Sequence, residues 1–97
     1  MIIQIIRYKS ALSREQVQRR FEERSDRYRN VPGLVQKYYV KFSDTGEYGG
    51  IYLWDSQKSL EAWRAGKLSG SLAETYQVEG EPSRELAEVM LVLHADR

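Results

Sequence analysis

From Tyr48 to Trp63 the chain reads Tyr-Gly-Gly-Ile-Tyr-Leu-Trp, then Asp-Ser, then Gln-Lys-Ser-Leu-Glu-Ala-Trp. This order admits one local geometry, a strand that turns straight into a helix. Ile51, Tyr52, Leu53 and Trp54 are β-branched, aromatic or otherwise apolar and favour an extended, packed backbone. Asp55 and Ser56 carry side-chain oxygens that accept from the unpaired N–H groups of a helix's first turn. Gln57 onward is helix-forming, with Leu60 and Trp63 on one face, and Gly66 offers a stop. Two tryptophans bracket the corner, so a small-molecule site, if present, is expected there. Gly49-Gly50 inside the strand predicts a bulge or the close approach of another backbone or a ligand.

The flanking segments follow from their patterns. Residues 2–8 form a first strand, apolar but for Gln4 and Arg7 and so expected to be buried on both faces. Ser13 and Gln16 have capping-box spacing and open a helix over 13–29. Its apolar stripe is Val17, Phe21 and Tyr28, with Ser25 filling the remaining turn. Its arginines, Arg24 among them, alternate with Glu15, Glu22, Glu23 and Asp26, which reads as a solvated face, and Glu15–Arg19 and Glu23–Arg27 are i,i+4 pairs. Asn30-Val31-Pro32-Gly33 is a turn. Residues 34–42 alternate, with Leu34, Tyr38, Val40 and Phe42 on one face and Val35, Lys37, Tyr39 and Lys41 on a wetter one. Asp44-Thr45-Gly46 marks a hairpin into the strand over 47–54. After the helix over 56–65 come a short helix at about 71–76 and a turn at Gly80-Glu81-Pro82. Glu85–Glu88 would suit a helix, and Val89–Leu93 reads as a buried last strand.

The resulting order, β-α-β-β-α-(short α)-β over residues 1–97 as a single domain, is the split βαβ of a ferredoxin-like α+β fold with an antiparallel four-stranded sheet. Two helices cover one sheet face. The other retains too much apolar surface to stay wet, which points to a homodimer with sheets face to face. Hydrophobic residues are 41% and charged residues 30%, a globular balance. The net charge of +1 argues against nucleic acid as a partner. Cysteine is absent, which excludes disulfides and thiolate chemistry and fits a reducing compartment. No apolar run is long enough to span a membrane, and the N-terminus lacks the order of a signal peptide, so a cytoplasmic location is expected. A single histidine and no cysteine disfavour a metal centre.

Three motifs carry a family resemblance: Val31-Pro32-Gly33-Leu34, Gly49-Gly50-Ile51-Tyr52-Leu53-Trp54 and Ser59-Leu60-Glu61-Ala62-Trp63. Together with the element order they resemble the dimeric α/β-barrel superfamily of antibiotic-biosynthesis monooxygenases, nearest the YdhR-type proteins. The resemblance implies a dimeric barrel and oxygenation of a small phenol- or quinol-like aromatic without a cofactor, the deprotonated substrate supplying the electrons. It also admits a non-catalytic small-molecule-binding or structural dimer, a polyketide cyclase and a haem-degrading enzyme. The last is disfavoured because Leu72-Ala73-Glu74-Thr75 has no histidine where the haem degraders present one.

On that reading Tyr38, Tyr52, Trp54 and Trp63 are candidate substrate walls and donors. Arg7 is a candidate oxyanion partner, Tyr52 a candidate catalytic hydroxyl and His94 a candidate proton acceptor. Each has a plainer reading. Leu60 and Trp63 are the core face of a helix, Tyr52 and Trp54 pack one strand face, Arg7 reaches solvent, and His94 is a solvated residue near the C-terminus.

Overall fold

The structure, a computed structural model, describes residues 1–94. The elements run β1 (Ile2–Ser10), α1 (Arg14–Tyr28), β2 (Leu34–Lys41), β3 (Tyr48–Trp54), α2 (Gln57–Arg64), α3 (Lys67–Gly70), α4 (Leu72–Thr75) and β4 (Val78–Glu88). The strands form one sheet in the order β2-β3-β1-β4, and every neighbouring pair is antiparallel. This is the expected ferredoxin-like α+β fold.

Both long helices start where their caps predict. Ser13 Oγ accepts from the Gln16 backbone N–H, and Gln16 Oε1 accepts from the Ser13 N–H at 2.9 Å, a complete capping box. Ser56 Oγ accepts from the Ser59 N–H at 3.2 Å. The corner between β3 and α2 is tied to the turn before β2. The Asp55 N–H donates to Gly33 O at 2.8 Å, and Gly33 has φ +80 with Ser59 and Asp55 packed against its Cα. A side chain there would fall 2.1 Å from Ser59 Oγ, so the turn and the start of α2 form a clasp that only glycine closes.

The core lies between the helices and one sheet face. Ile6, Tyr8, Tyr52 and Trp54 from the sheet meet Val17, Phe21 and Tyr28 of α1 and Leu60 and Trp63 of α2. Trp54, Ile6, Leu60 and Val17 are fully buried, each contributing ~1.5–3 kcal/mol as an upper estimate. The opposite face carries no helix, and Ile3, Ile5, Ile51 and Leu53 are only half-buried there.

Several expectations are corrected. Lys37 pairs with Tyr52 and Tyr39 with Gly50, so the face of β2 read as the wetter one is turned to the helices. A register irregularity between Leu34 and Gln36 lets Leu34 join the core as well. In α1 it is Arg24, 5% exposed, that fills the turn assigned to Ser25. Its guanidinium donates to Thr75 Oγ1 and to Leu68 O, both at 3.0 Å, joining α1 to the α3–α4 segment. The ion pairs along α1 are i,i+3, Arg20–Glu23 and Arg29–Asp26, rather than the i,i+4 pairs expected.

The last strand is corrected as well. It occupies Val78–Glu88, while the apolar run expected to form it lies beyond the sheet with Met90, Leu91 and Leu93 more than 80% exposed. Gly80–Pro82 does not end the strand. It bulges opposite Tyr8, between the pairs Lys9–Glu79 and Arg7–Ser83, and β4 is an edge strand, where proline is tolerated.

Candidate functional site

The aromatic side chains of the helix-side core form one continuous layer. Tyr52 and Trp54 lie parallel with centroids 6.1 Å apart. Trp63 comes down from α2 to 5.1 Å from Tyr52 and 5.6 Å from Trp54. Tyr28 reaches both Tyr52 and Trp63 from α1, at 6.2 and 6.5 Å. The strand-to-helix corner therefore does bring its two tryptophans together. Their indole nitrogens differ. Trp54 Nε1 donates to Gln4 Oε1 at 3.0 Å, whereas Trp63 Nε1 is buried without a partner, as is Gln4 Nε2.

Lys37 enters this layer from β2. Its Nζ sits 3.2 Å from the ring centroid of Tyr28, 4.2 Å from that of Tyr39 and 4.6 Å from that of Tyr52. Room for it comes from Gly50, where a Cβ would stand 2.9 Å from Tyr52 Cε1 and 3.4 Å from Lys37 Cε. The Gly-Gly pair thus serves close approach, with Gly49 against the Ile6 carbonyl. Burial first, and the Arg24 charge second, push the Lys37 amine down to about 6. The three ring faces pull the other way, by ~0.5–2 kcal/mol for a cation–π contact. Burial pushes the Tyr39 hydroxyl up to about 12. It raises Tyr52 well above its usual value, with Tyr28 adding to the rise. Tyr8 and Tyr76 are raised by burial too. At neutral pH these phenols are proton donors, not bases.

The layer is nearly solid. A narrow, half-open crevice of about 10 Å³ remains among Tyr8, Tyr28, Lys37, Tyr39, Tyr52 and Tyr76, room for one water at most. Two open clefts reach its edges. One of about 350 Å³ lies between the end of α1 and β2, lined by Ser25, Tyr28, Arg29, Gln36, Lys37 and Tyr39 among others. The other, about 300 Å³, runs from Val31 and Pro32 to Ser59, Ala62 and Trp63.

The remaining candidates lie elsewhere. Arg7 is on the helix-free face, its guanidinium 3.9 Å over the Phe42 ring and 3.3 Å from both Asp44 carboxylate oxygens. Tyr38 is on that same face and 57% exposed. His94 lies past β4, exposed. A single chain therefore gathers Tyr52, Trp54 and Trp63 but not Arg7, Tyr38 or His94. Sequence reasoning missed Lys37, Tyr28, Tyr39 and Gln4. The usable signal was a glycine pair in β3, which must face something large across the sheet. Among the described residues no group of three or more His, Asp or Glu side chains is placed to hold a metal ion, and no helix is long and apolar enough to cross a membrane.

The family model described as "Putative mono-oxygenase ydhR" matches residues 2–79, which include every element that builds the aromatic layer. The chain belongs to this family. No curated protein matches it. Among solved structures, the YdhR-family chain is similar to the haem degrader MhuD from Mycobacterium tuberculosis, at 20% identity and a TM-score of 0.78 over 97% of this chain and all of that one. It is similar to SnoaB, a cofactor-independent oxygenase from Streptomyces nogalater, at 14% identity and a TM-score of 0.73 over 95% of each chain. A "putative antibiotic biosynthesis monooxygenase" from Deinococcus radiodurans gives 12% identity and a TM-score of 0.74 over 97% of each. At these identities the structures establish a common fold.

Proposed function

We propose that this YdhR-family protein is a monooxygenase of small phenol- or quinol-like aromatics that works without a resident cofactor. The observation that carries this reading is the contiguous layer of Tyr28, Tyr52, Trp54 and Trp63, reached by clefts large enough for one or two aromatic rings. A flat hydroxylated ring seated at the layer gains stacking on these side chains. Tyr28 and Trp63 are the members of the layer that line these clefts and would meet the ring first, with the protonated Tyr52 hydroxyl behind them. In such a reaction the substrate anion gives electrons to O₂. One oxygen atom ends in the product, the other leaves as water, and the two hydrogens of that water come from the substrate.

A second copy of the chain completes the molecule in this reading. The helix-free face, with Ile3, Ile5, Ile51 and Leu53, and the exposed run Met90–Leu93 form an apolar surface that a face-to-face sheet partner would cover. Arg7 and Tyr38 then fall at that interface. Full burial of each large side chain favours association by ~1.5–3 kcal/mol before entropic costs. Sedimentation as a monomer at micromolar concentration would end this part of the reading.

The direct test of activity is oxygen uptake with a panel of quinols and naphthols, with ¹⁸O₂ and mass spectrometry of the products. Incorporation of one labelled atom into one member of the panel is expected. Binding without uptake across the panel would show instead a small-molecule-binding protein.

A further inference from the structure

We infer that Lys37 is the catalytic base of this site: its amine takes the hydroxyl proton of a phenol- or naphthol-like ligand lodged in the cleft between α1 and β2. This rests on the oxygenase reading above for the class of ligand, and on the geometry around Lys37 for the role. The step is a proton transfer alone. The O–H bond of the ligand breaks, the electron pair stays on oxygen, and the proton forms a new N–H bond on Nζ, giving a phenolate beside an ammonium.

Four observations converge on it. Lys37, Tyr28 and Tyr39 line both the 350 Å³ cleft and the 10 Å³ crevice, so the amine stands at the boundary between solvent-accessible space and the aromatic layer. Among the described residues Nζ has no hydrogen-bond partner and no carboxylate lies within the 4.0 Å of an ion pair. A lysine that served only to carry charge would hold such a partner, and one that only packed its stem would put Nζ in open water. The charged and titratable groups around it are Arg24 and Arg29 of α1 and the hydroxyls of Tyr8, Tyr28, Tyr39, Tyr52 and Tyr76. None of them is a carboxylate or an imidazole. The faces of Tyr28, Tyr39 and Tyr52 are already in place to stabilise the ammonium that forms.

The amine itself is suited to the task. Desolvation and a neighbouring cation hold it near neutrality, the condition under which a general base has both the right protonation state and useful strength. Tyr39, whose hydroxyl is buried with no partner, is available to donate to the nascent phenolate.

The experiment uses 4-nitrophenol, whose anion absorbs in the visible, and the wild-type protein beside Lys37→Met and Lys37→Arg. Below the probe's own pKa, the wild type should bind it as the coloured anion. Lys37→Met should bind the neutral form and lose at least tenfold of the bound anion signal. Absence of anion in the wild type, or an equal signal in Lys37→Met, overturns the inference. Should Lys37→Met not fold, the wild type still decides. After reductive ¹³C-methylation, Lys37 should titrate near neutral pH, and a Lys37 midpoint at the ordinary lysine value of about 10.4 refutes the assignment. For any substrate found by oxygen uptake, Lys37→Met should lower kcat by ~10²–10⁴ and abolish the acid limb of the pH–rate profile. Lys37-dependent ionisation of the probe with no oxygen uptake would sink the oxygenase reading and leave the base in place. Uptake with an unchanged pH profile in Lys37→Met would do the reverse.

Discussion

Trp54→Phe and Trp63→Phe remove the same atoms from one core and should differ sharply in cost. Each leaves a void of similar size, penalised at ~24 cal/mol per Å³ to the extent that it fails to close. Their indole N–H groups separate them. In Trp54→Phe the 3.0 Å bond to Gln4 Oε1 is lost. Gln4 is fully buried and its Nε2 already has no partner, so the whole amide is stranded, at ~1–3 kcal/mol for the newly orphaned acceptor. In Trp63→Phe a buried N–H that had no partner disappears, relieving ~1–3 kcal/mol. Trp54→Phe should therefore be the less stable of the two by ~2–6 kcal/mol, a Tm gap on the order of 10 °C or more for a domain of this size. Urea denaturation followed by the fluorescence of the remaining tryptophan measures it, with unchanged m-values as the check on the two-state comparison. Adding Gln4→Leu to Trp54→Phe should recover most of the loss, whereas in Trp63→Phe it leaves the buried Trp54 N–H without its acceptor and should cost stability. Equal losses, or a worse loss for Trp63→Phe, would refute the hydrogen-bond reasoning. With hydroxylated aromatics present, Trp63→Phe should also show a smaller ligand-dependent Tm rise than the wild type. No rise in either protein would make Trp63 a core residue only.

Stability should depend on pH with a sign set by Lys37. Its folded pKa of about 6 lies below the unfolded value of about 10.4, so the unfolded chain binds the extra proton in that window and stability rises with pH across it. Above about 10 the raised tyrosines, Tyr8, Tyr39, Tyr52 and Tyr76, reverse the slope, because the unfolded chain releases their protons first. Urea midpoints from pH 6 to 11 should rise and then fall, and Lys37→Met should lack the rise; a flat wild-type curve below pH 9 contradicts the placement of the amine. A haem titration should give the same Soret band in wild type and His94→Ala, since His94 is exposed and remote from the aromatic layer; a biliverdin-like product that vanishes in the variant would overturn this. Truncation after Val89 removes the exposed apolar run and should shift sedimentation from dimer toward monomer; an unchanged dimer would mean that the run is not part of the interface.

Element order, both helix caps and the strand-to-helix corner were legible because each rests on local chemistry: Ser13 with Gln16, Ser56 ahead of a helical run, a β-branched and aromatic stretch before Asp55. The helix-side face of β2 was less so. In β2 the outward residues Tyr38 and Val40 are more apolar than the inward Lys37, so alternation points the wrong way. The reversal appears only when the long stem of Lys37 is seen lying in the space opened by Gly50. Arg24 misled for the same reason, as a charge whose partners, Thr75 and Leu68, are remote in sequence. Val89–Leu93 has the composition of a buried strand, yet its burial requires surface that the single chain does not supply. The family resemblance reached the fold and the tryptophan pair, and it had nothing to say about Lys37.

The clasp between Gly33 and Ser59 has a consequence for how such chains diverge. Two of the motifs that carry the resemblance lie far apart in sequence but share one van der Waals boundary, with no room at position 33 for even a methyl group. Substitution at either position is thus filtered by the other. A bulkier residue at 59 meets the Gly33 backbone, and any side chain at 33 meets Ser59 and Asp55. Paired comparison of these positions across related genomes should show restricted, correlated exchange, and a chain that breaks one without changing the other should set α2 at a new angle to the sheet. Because Trp63 rides on that helix, drift at this distant hinge would retune the shape of the aromatic layer without touching a residue that lines it.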